Sequence, residues 1–196
     1  TVPLGLQYLG TMLMLYPAAK LMERYGRRSI FGAGALIGAL GLAAAALGVR
    51  NGNFALFAAA GFLIGTFGAV GQYYRFAAAE AVAPERKSLA ISWTLTGGLL
   101  AALAGPLLAR ETQHLLEPAF YASFLLLIGV ALLGALCALG LQLPPMARVS
   151  AQQTQHSWLE IAGNARLVIA VVAGVVGYAV MNLLMTATPL AMMCCA

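Results

Sequence analysis

Two methionines near the end of the chain carry the most specific chemistry in the sequence. Met181 and Met185 lie in the run M-N-L-L-M, and a spacing of four residues places both side chains on one face of a helix. Thioether sulfur is a soft ligand that suits Cu(I) far better than hard cations. Met192 falls on nearly the same stripe, and Cys194 and Cys195 add possible thiolates. The pattern indicates a soft-metal contact, although methionine also fills apolar cores without binding metal.

The composition indicates which elements must position these sulfur atoms. Hydrophobic residues make up 62% of the 196 positions, charged residues make up 9%, and aspartate is absent. This leaves too little polar surface for a water-soluble protein. Six apolar segments reach the length of about 20 residues that a helix needs to cross a bilayer. They are Val2–Met22, Ser29–Val49, Phe54–Phe76, Leu89–Ala109, Ala119–Leu143 and Leu167 to near Ala196. Because lipid cannot satisfy exposed backbone groups, we predict an all-α integral membrane protein that spans the bilayer several times.

The positive charge follows the predicted topology. Nine of the eleven basic residues fall on alternate connections between spans, and they are Lys20, Arg24, Arg27, Arg28, Arg75, Arg86, Lys87, Arg148 and Arg166. The positive-inside rule places these connections in the cytoplasm, so the first helix runs inward and the chain starts in the periplasm. The net charge of +5 therefore has a topological explanation, and we predict no nucleic-acid partner.

Polar side chains inside the spans are candidates for a pathway. Arg75 lies near the predicted cytoplasmic boundary, where its side chain could reach the headgroups, pair with Glu80 or Glu23, or contact a solute. Gln72 and Asn182 offer hydrogen-bonding groups to the interior of the bundle. The ordinary role of such amides in membrane proteins is contact between helices, so we expect either that role or a place in the pathway.

A charged turn follows the first span. Residues Ala19–Arg28 read A-K-L-M-E-R-Y-G-R-R, which resembles the G-x-L-x-D-R-x-G-R-R signature of the major facilitator superfamily. The matching positions are Arg24, Gly26, Arg27 and Arg28. Ala19 replaces the family's glycine, and Glu23 replaces its aspartate. The resemblance implies a cytoplasmic gate in which the acidic residue and the arginines bridge two helical bundles.

The same resemblance implies the organisation of the chain. The six spans correspond to family helices two to seven, so the fold is a partial version of the family's. Residues 1–143 are then an N-terminal bundle of five transmembrane helices, 144–166 a cytoplasmic linker between bundles, and 167–196 the first helix of the C-terminal bundle. Because the chain begins with Thr1 in the periplasm and ends at Ala196 without a polar tail, we expect that transport requires further helices at both ends.

Two stretches resemble a particular branch of the superfamily. The run Q-Y-Y-R-F-A-A-A-E at Gln72–Glu80 and the run Y-A-V-M-N-L-L-M-T-A-T-P-L-A-M at Tyr178–Met192 look like the CcoA-type bacterial copper importers. The seventh helix of that branch carries an M-x-x-x-M pair, which Met181 and Met185 match. The branch pairs it with an H-x-x-x-M motif in the eighth helix, beyond the residues of this chain. Related riboflavin transporters share the scaffold, so a vitamin substrate stays open.

These patterns lead to one hypothesis and two alternatives. The hypothesis is a secondary transporter of the bacterial inner membrane that takes up copper, as its substrate and not as a cofactor, by alternating access. The alternatives are a transporter of an organic solute, such as riboflavin or a drug-like compound, and a fragment that does not transport. We do not expect an enzyme, because the spans hold no histidine and no paired carboxylates. Cys137, isolated within the fifth span, is expected to be a packing residue.

Overall fold

The described part of the protein consists of helices. The structure is a computed structural model that describes residues 2–140 and 165–195. The α-helices are α1 (Val2–Tyr25), α2 (Arg27–Arg50), α3 (Phe54–Gly71), α4 (Tyr74–Glu80), α5 (Lys87–Thr112), α6 (Tyr121–Gly140) and α7 (Ala165–Cys195), with a 3-10 helix at Pro84–Arg86. These residues contain no strand, so the all-α prediction is confirmed. The predicted linker lies almost wholly outside the described residues.

Four segments of the described chain are long and apolar enough to cross a membrane. They are Arg27–Arg50, Phe54–Glu80, Pro84–Thr112 and Tyr121–Gly140. Helix α1 has 24 residues, but two prolines, three tyrosines and Gln7 dilute its apolar residues. The described apolar stretch of α7, Val168–Leu184, is shorter than these four.

The third predicted span differs from the expectation of one helix ending at Phe76. Helix α3 ends at Gly71, two residues intervene, and α4 continues the segment to Glu80. At this junction, named here the α3–α4 break, the Tyr73 N–H donates to the Val70 carbonyl oxygen at 3.1 Å. A hydrogen bond to the third residue back, instead of the fourth, is the tighter 3-10 pattern. The segment therefore changes its winding at the point where its sequence becomes polar.

Contacts divide the chain into two units, Thr1–Ala147 and Arg148–Ala196. In the first unit, α2 packs against α3 on one side and α6 on the other. A side chain at Gly34 would meet Val70, and one at Gly38 would meet Phe67 at 2.7 Å. These glycines let the neighbouring helices approach, which is how membrane helices gain van der Waals contact. In the second unit, the structure describes α7 as one continuous helix.

Helices α1 and α3 approach each other even more closely. A Cβ atom at Gly61 would lie 2.6 Å from the Pro3 carbonyl oxygen, and one at Gly65 would collide with the Gln7 carbonyl oxygen. The Thr11 hydroxyl lies 2.9 Å from the Gly65 carbonyl oxygen and also within hydrogen-bond distance of the Gln7 carbonyl oxygen. Backbone of α3 thus rests on backbone of α1, with one threonine donating at the contact.

A small apolar cluster closes the end of the first unit where α1 meets α2. It consists of Ala18, Met22, Phe31, Val70, Ala77 and Ala138, all nearly inaccessible. The largest of these side chains, Phe31, Met22 and Val70, come from three different helices. This end of the bundle is therefore the rigid support for the charged residues beside it. Helix α5 is much less buried than this end of the bundle, since Thr112 is the one buried residue of α5 in the described structure.

The contact between α1 and α3 yields a test of the packing. Replacing Gly65 with alanine should lower the free energy of unfolding by about 1–3 kcal/mol, because the added methyl must displace a carbonyl oxygen of a neighbouring backbone. Gly98→Ala is the matched control, since a Cβ there meets nothing within 4 Å. This change should stabilise the helix by up to about 1 kcal/mol through helix propensity. Denaturation of the purified protein in detergent, followed by circular dichroism, measures both changes, and equal effects would contradict the packing.

Candidate functional site

The arginine-rich turn, residues 23–28, reverses the chain with a single residue between two helices. Helix α1 ends at Tyr25 and α2 begins at Arg27. Gly26 has φ 82° and ψ 153°, a combination that is essentially restricted to glycine. Its N–H donates to the Met22 carbonyl oxygen at 3.0 Å, which closes the last turn of α1. The glycine of the charged motif is therefore required by the backbone, and it holds the neighbouring arginines at the end of the bundle.

Arg27 forms an ion pair with Glu80. The Arg27 Nη2 atom lies 2.8 Å from the Glu80 Oε1 atom and 2.7 Å from Oε2. The Arg27 side chain is 11% exposed and the Glu80 side chain 48%. Arg27 is the first residue of α2 and Glu80 the last of α4, so the pair joins two helices through residues that are 53 positions apart in the sequence.

Aromatic contacts hold α4 in the position that this ion pair requires. The Tyr74 ring packs on the Phe31 ring with 4.4 Å between centroids. The Tyr73 hydroxyl donates to the Leu15 carbonyl oxygen at 2.8 Å. Helix α4 is thereby fixed against both α1 and α2. The geometry of the ion pair therefore depends on packing as well as on charge.

The other residues of the predicted gate remain open to solvent in the described structure. Glu23, Arg24 and Arg28 are exposed, and the Arg24 guanidinium lies 5.4 Å from the Tyr25 ring centroid. Among the described residues, the pair of Arg27 and Glu80 is the one salt bridge. The basic partner of this pair, Arg27, is thus a residue of the charged motif. The acidic partner comes from the end of α4, and Glu23 in the turn takes no part in a described ion pair.

In the described structure, Arg75 forms no ion pair with Glu80 or Glu23, the two carboxylates that the sequence analysis proposed for it. Glu80 is engaged by Arg27, and Arg75 is exposed with its guanidinium 5.0 Å from the centroid of the Phe76 ring. Gln72 is exposed as well. Both polar residues therefore lie on the surface of the first unit, at the α3–α4 break.

The predicted metal residues are only partly described. Met181 is 53% exposed, and the Asn182 amide donates to the Tyr178 carbonyl oxygen within the same helix at 2.8 Å. The continuous α7 places Met181 and Met185 one turn apart. The side chains of Met185, Met192, Cys194 and Cys195 lie outside the described part, so their metal-binding role stays a prediction. No group of three histidine, cysteine, aspartate or glutamate side chains that could hold a metal occurs among the described residues.

The expectation for Cys137 is wrong. Its side chain is exposed in the first unit, whereas the neighbouring Ala135 and Ala138 are buried. The reason is helical geometry, because the stripe of α6 that contacts α2 is formed by alanines, and Cys137 lies beside that stripe. Sequence reasoning also missed the pairing of Arg27 with Glu80. The one signal for it was an acidic residue at the end of an otherwise apolar segment.

Comparison with known proteins places these features in a family. The sequence profile of the Major Facilitator Superfamily matches residues 2–193. A riboflavin transporter of Brucella anthropi is 37% identical over 195 residues, which cover 98% of this chain and 49% of that protein. The chain thus spans about half the length of the curated relative it matches. No solved structure matches the chain. Together with the helical bundle and its charged turn, the match over nearly every residue shows that this multi-pass membrane protein belongs to the major facilitator superfamily of transporters.

Proposed function

We propose that the chain forms half of a secondary transporter that moves an organic solute of the flavin class across the bacterial inner membrane. The observation that carries this proposal is the 37% identity to a riboflavin transporter over 98% of the chain. The likeness extends along the whole length and includes both units, so it is not confined to a single motif. Transport by alternating access between two halves fits the repeated bundles of secondary transporters.

In this proposal, the Arg27–Glu80 pair and the Gly26 turn belong to the cytoplasmic gate. Glu80 is about half exposed, so water weakens the pair, and its contribution to stability is at most about 1 kcal/mol. An interaction of this size can break and reform during a transport cycle, since two conformations typically differ by a few kcal/mol. The glycine-only backbone at Gly26 keeps the turn short, so that movement of α1 is passed directly to α2.

Copper uptake is the competing hypothesis from the sequence, and the comparisons give it no support. Its basis is the one-turn spacing of Met181 and Met185, which is equally compatible with apolar packing. The matched relative is named for a vitamin and not for a metal. We therefore propose the organic solute and retain copper as an outcome that the experiments below can detect.

A riboflavin-requiring bacterium provides the test of function. We expect growth on low riboflavin, and uptake of labelled riboflavin, from a chimera in which this chain replaces the matching half of the Brucella relative. The chain alone should give neither, because a pathway between two halves needs both of them. Lack of uptake by a chimera that is present in the membrane would contradict the proposal.

The gate predicts a charge-swap effect. Glu80→Arg in the chimera should reduce riboflavin uptake severalfold, because it places a second cation against the nearly buried Arg27 and repels it. The double variant Arg27→Glu, Glu80→Arg should recover at least half of the uptake, since the pair is restored with its charges exchanged. Initial uptake rates at equal protein levels measure both. Failure of the double variant to recover would show that the two side chains do not act as a pair.

The two methionines separate the competing substrates. Met181→Leu, Met185→Leu keeps the apolar volume but removes both sulfur ligands. We expect riboflavin uptake within about twofold of the unchanged chimera, and no difference in cellular copper between the two strains. Copper accumulation that requires the chimera and disappears in the double variant would instead favour the metal hypothesis.

A further inference from the structure

The α3–α4 break exposes a mixed polar and aromatic face in a segment that crosses the membrane. This recognition face consists of Gly68, Gln72, Arg75 and Phe76, all exposed in the first unit. The positions follow a spacing of four, three and one residues, which places them on one side of a helix. The 3-10 hydrogen bond at Tyr73 brings residues three apart into closer alignment than an α-helix does. Gln72 and Arg75 therefore point the same way.

The depth of Gln72 in the bilayer makes its exposure unusual. The segment Phe54–Glu80 has 27 residues, which is ~40 Å of helix and ~10 Å more than the hydrocarbon core. With the excess shared between both ends, Arg75 lies ~2–3 Å and Gln72 ~7 Å inside the hydrocarbon boundary. The Arg75 guanidinium can reach the headgroups from its depth, but the short Gln72 amide cannot, and a polar side chain at that depth ordinarily faces a bundle interior or a water-filled cavity.

The obvious structural partners of these two residues are already engaged. Glu80, one turn beyond Arg75, is held by Arg27 at 2.7 Å. Tyr73, between the two residues, gives its hydroxyl to Leu15. In the described structure, Arg75 contacts the Phe76 ring, with 5.0 Å between the guanidinium carbon and the ring centroid. Gly68, one turn before Gln72, presents no side chain, and a Cβ atom placed there would lie 3.6 Å from the Thr11 hydroxyl oxygen.

We propose that this recognition face binds the imide edge of a planar heteroaromatic solute, an inference that rests on the flavin transport proposed above. A flavin ring carries an N–H between two carbonyl groups. The Gln72 amide has one acceptor and two donors, so it can accept from that N–H and donate to a neighbouring carbonyl. The Arg75 guanidinium donates to the second carbonyl, and its planar shape, like the Phe76 ring, offers a surface for stacking.

Binding measurements on the purified chimera test this assignment. Quenching of flavin fluorescence gives the Kd for riboflavin and for riboflavin methylated at the imide nitrogen. The unchanged chimera should bind riboflavin about tenfold more tightly than the methylated compound, a difference equivalent to ~1.4 kcal/mol. Gln72→Leu should weaken riboflavin binding by about tenfold and abolish the discrimination. Gln72→Glu keeps the acceptor for the imide N–H but removes the amide donors, so it should weaken riboflavin binding while the preference over the methylated compound remains.

Arg75→Lys distinguishes recognition from simple placement of a charge at the membrane boundary. Lysine reaches the headgroups as well as arginine does, but it lacks the planar fork, so we expect about tenfold weaker riboflavin binding. Arg86→Lys, on the exposed 3-10 helix at the start of the next span, is the matched control and should leave the Kd unchanged. Thermal unfolding of each variant verifies that it is folded.

The outcomes separate this inference from the proposed function. Suppose that the unchanged chimera binds and takes up riboflavin, and that a folded Gln72→Leu or Arg75→Lys variant binds riboflavin with the same Kd as the unchanged chimera. This result would overturn the recognition face alone. Absence of both binding and uptake in the unchanged chimera would overturn the flavin function and the recognition face together.

Discussion

The lack of water inside the bilayer is the constraint on which this bundle depends. Each backbone N–H and C=O must find its partner within its own helix, which makes every described span helical. Apolar side chains gain little by leaving lipid for one another, so helices associate where their backbones can approach. At Gly61 and Gly65 the nearest atoms of α1 are carbonyl oxygens. The smallest residues of the sequence therefore determine which helices are neighbours.

The same constraint decides where charge is tolerated. Arg27 is almost covered by protein, so an opposite charge beside it is favourable, although water reaches Glu80 and keeps the gain small. Glu80 neutralises it, and the contact of Phe31 with Tyr74 keeps α4 close enough for the carboxylate to reach. Packing in the apolar cluster and pairing of charges at its edge are thus coupled. A change in the position of α4 would alter the ion pair, and this coupling is what a gate requires.

The sequence predicts the helices well, because span length and apolar composition are properties of single segments. The charged turn is also predictable, since its glycine and arginines occur in a recognisable order. The partner of Arg27 could not be predicted, because the choice among Glu23, Glu80 and a lipid headgroup depends on how α2 and α4 cross. The α3–α4 break was missed for a similar reason. Gly71, Gln72 and Tyr73 are all compatible with a helix, and the altered winding there accompanies a tyrosine hydroxyl that bonds to α1.

The chemistry of the proposed recognition face bears on which solute the proposed transporter carries. A permeating Cu(I) ion needs sulfur ligands, whereas Gln72 and Arg75 supply nitrogen and oxygen. The Arg75 guanidinium would also repel a cation, by ~4 kcal/mol for unit charges 4 Å apart at an effective dielectric constant of 20. The same positive charge attracts carbonyl oxygens. A carbonyl-bearing ring therefore suits this face of the first unit better than a metal ion does. The methionines of α7 are uncharged, so they do not offset the positive charge of Arg75.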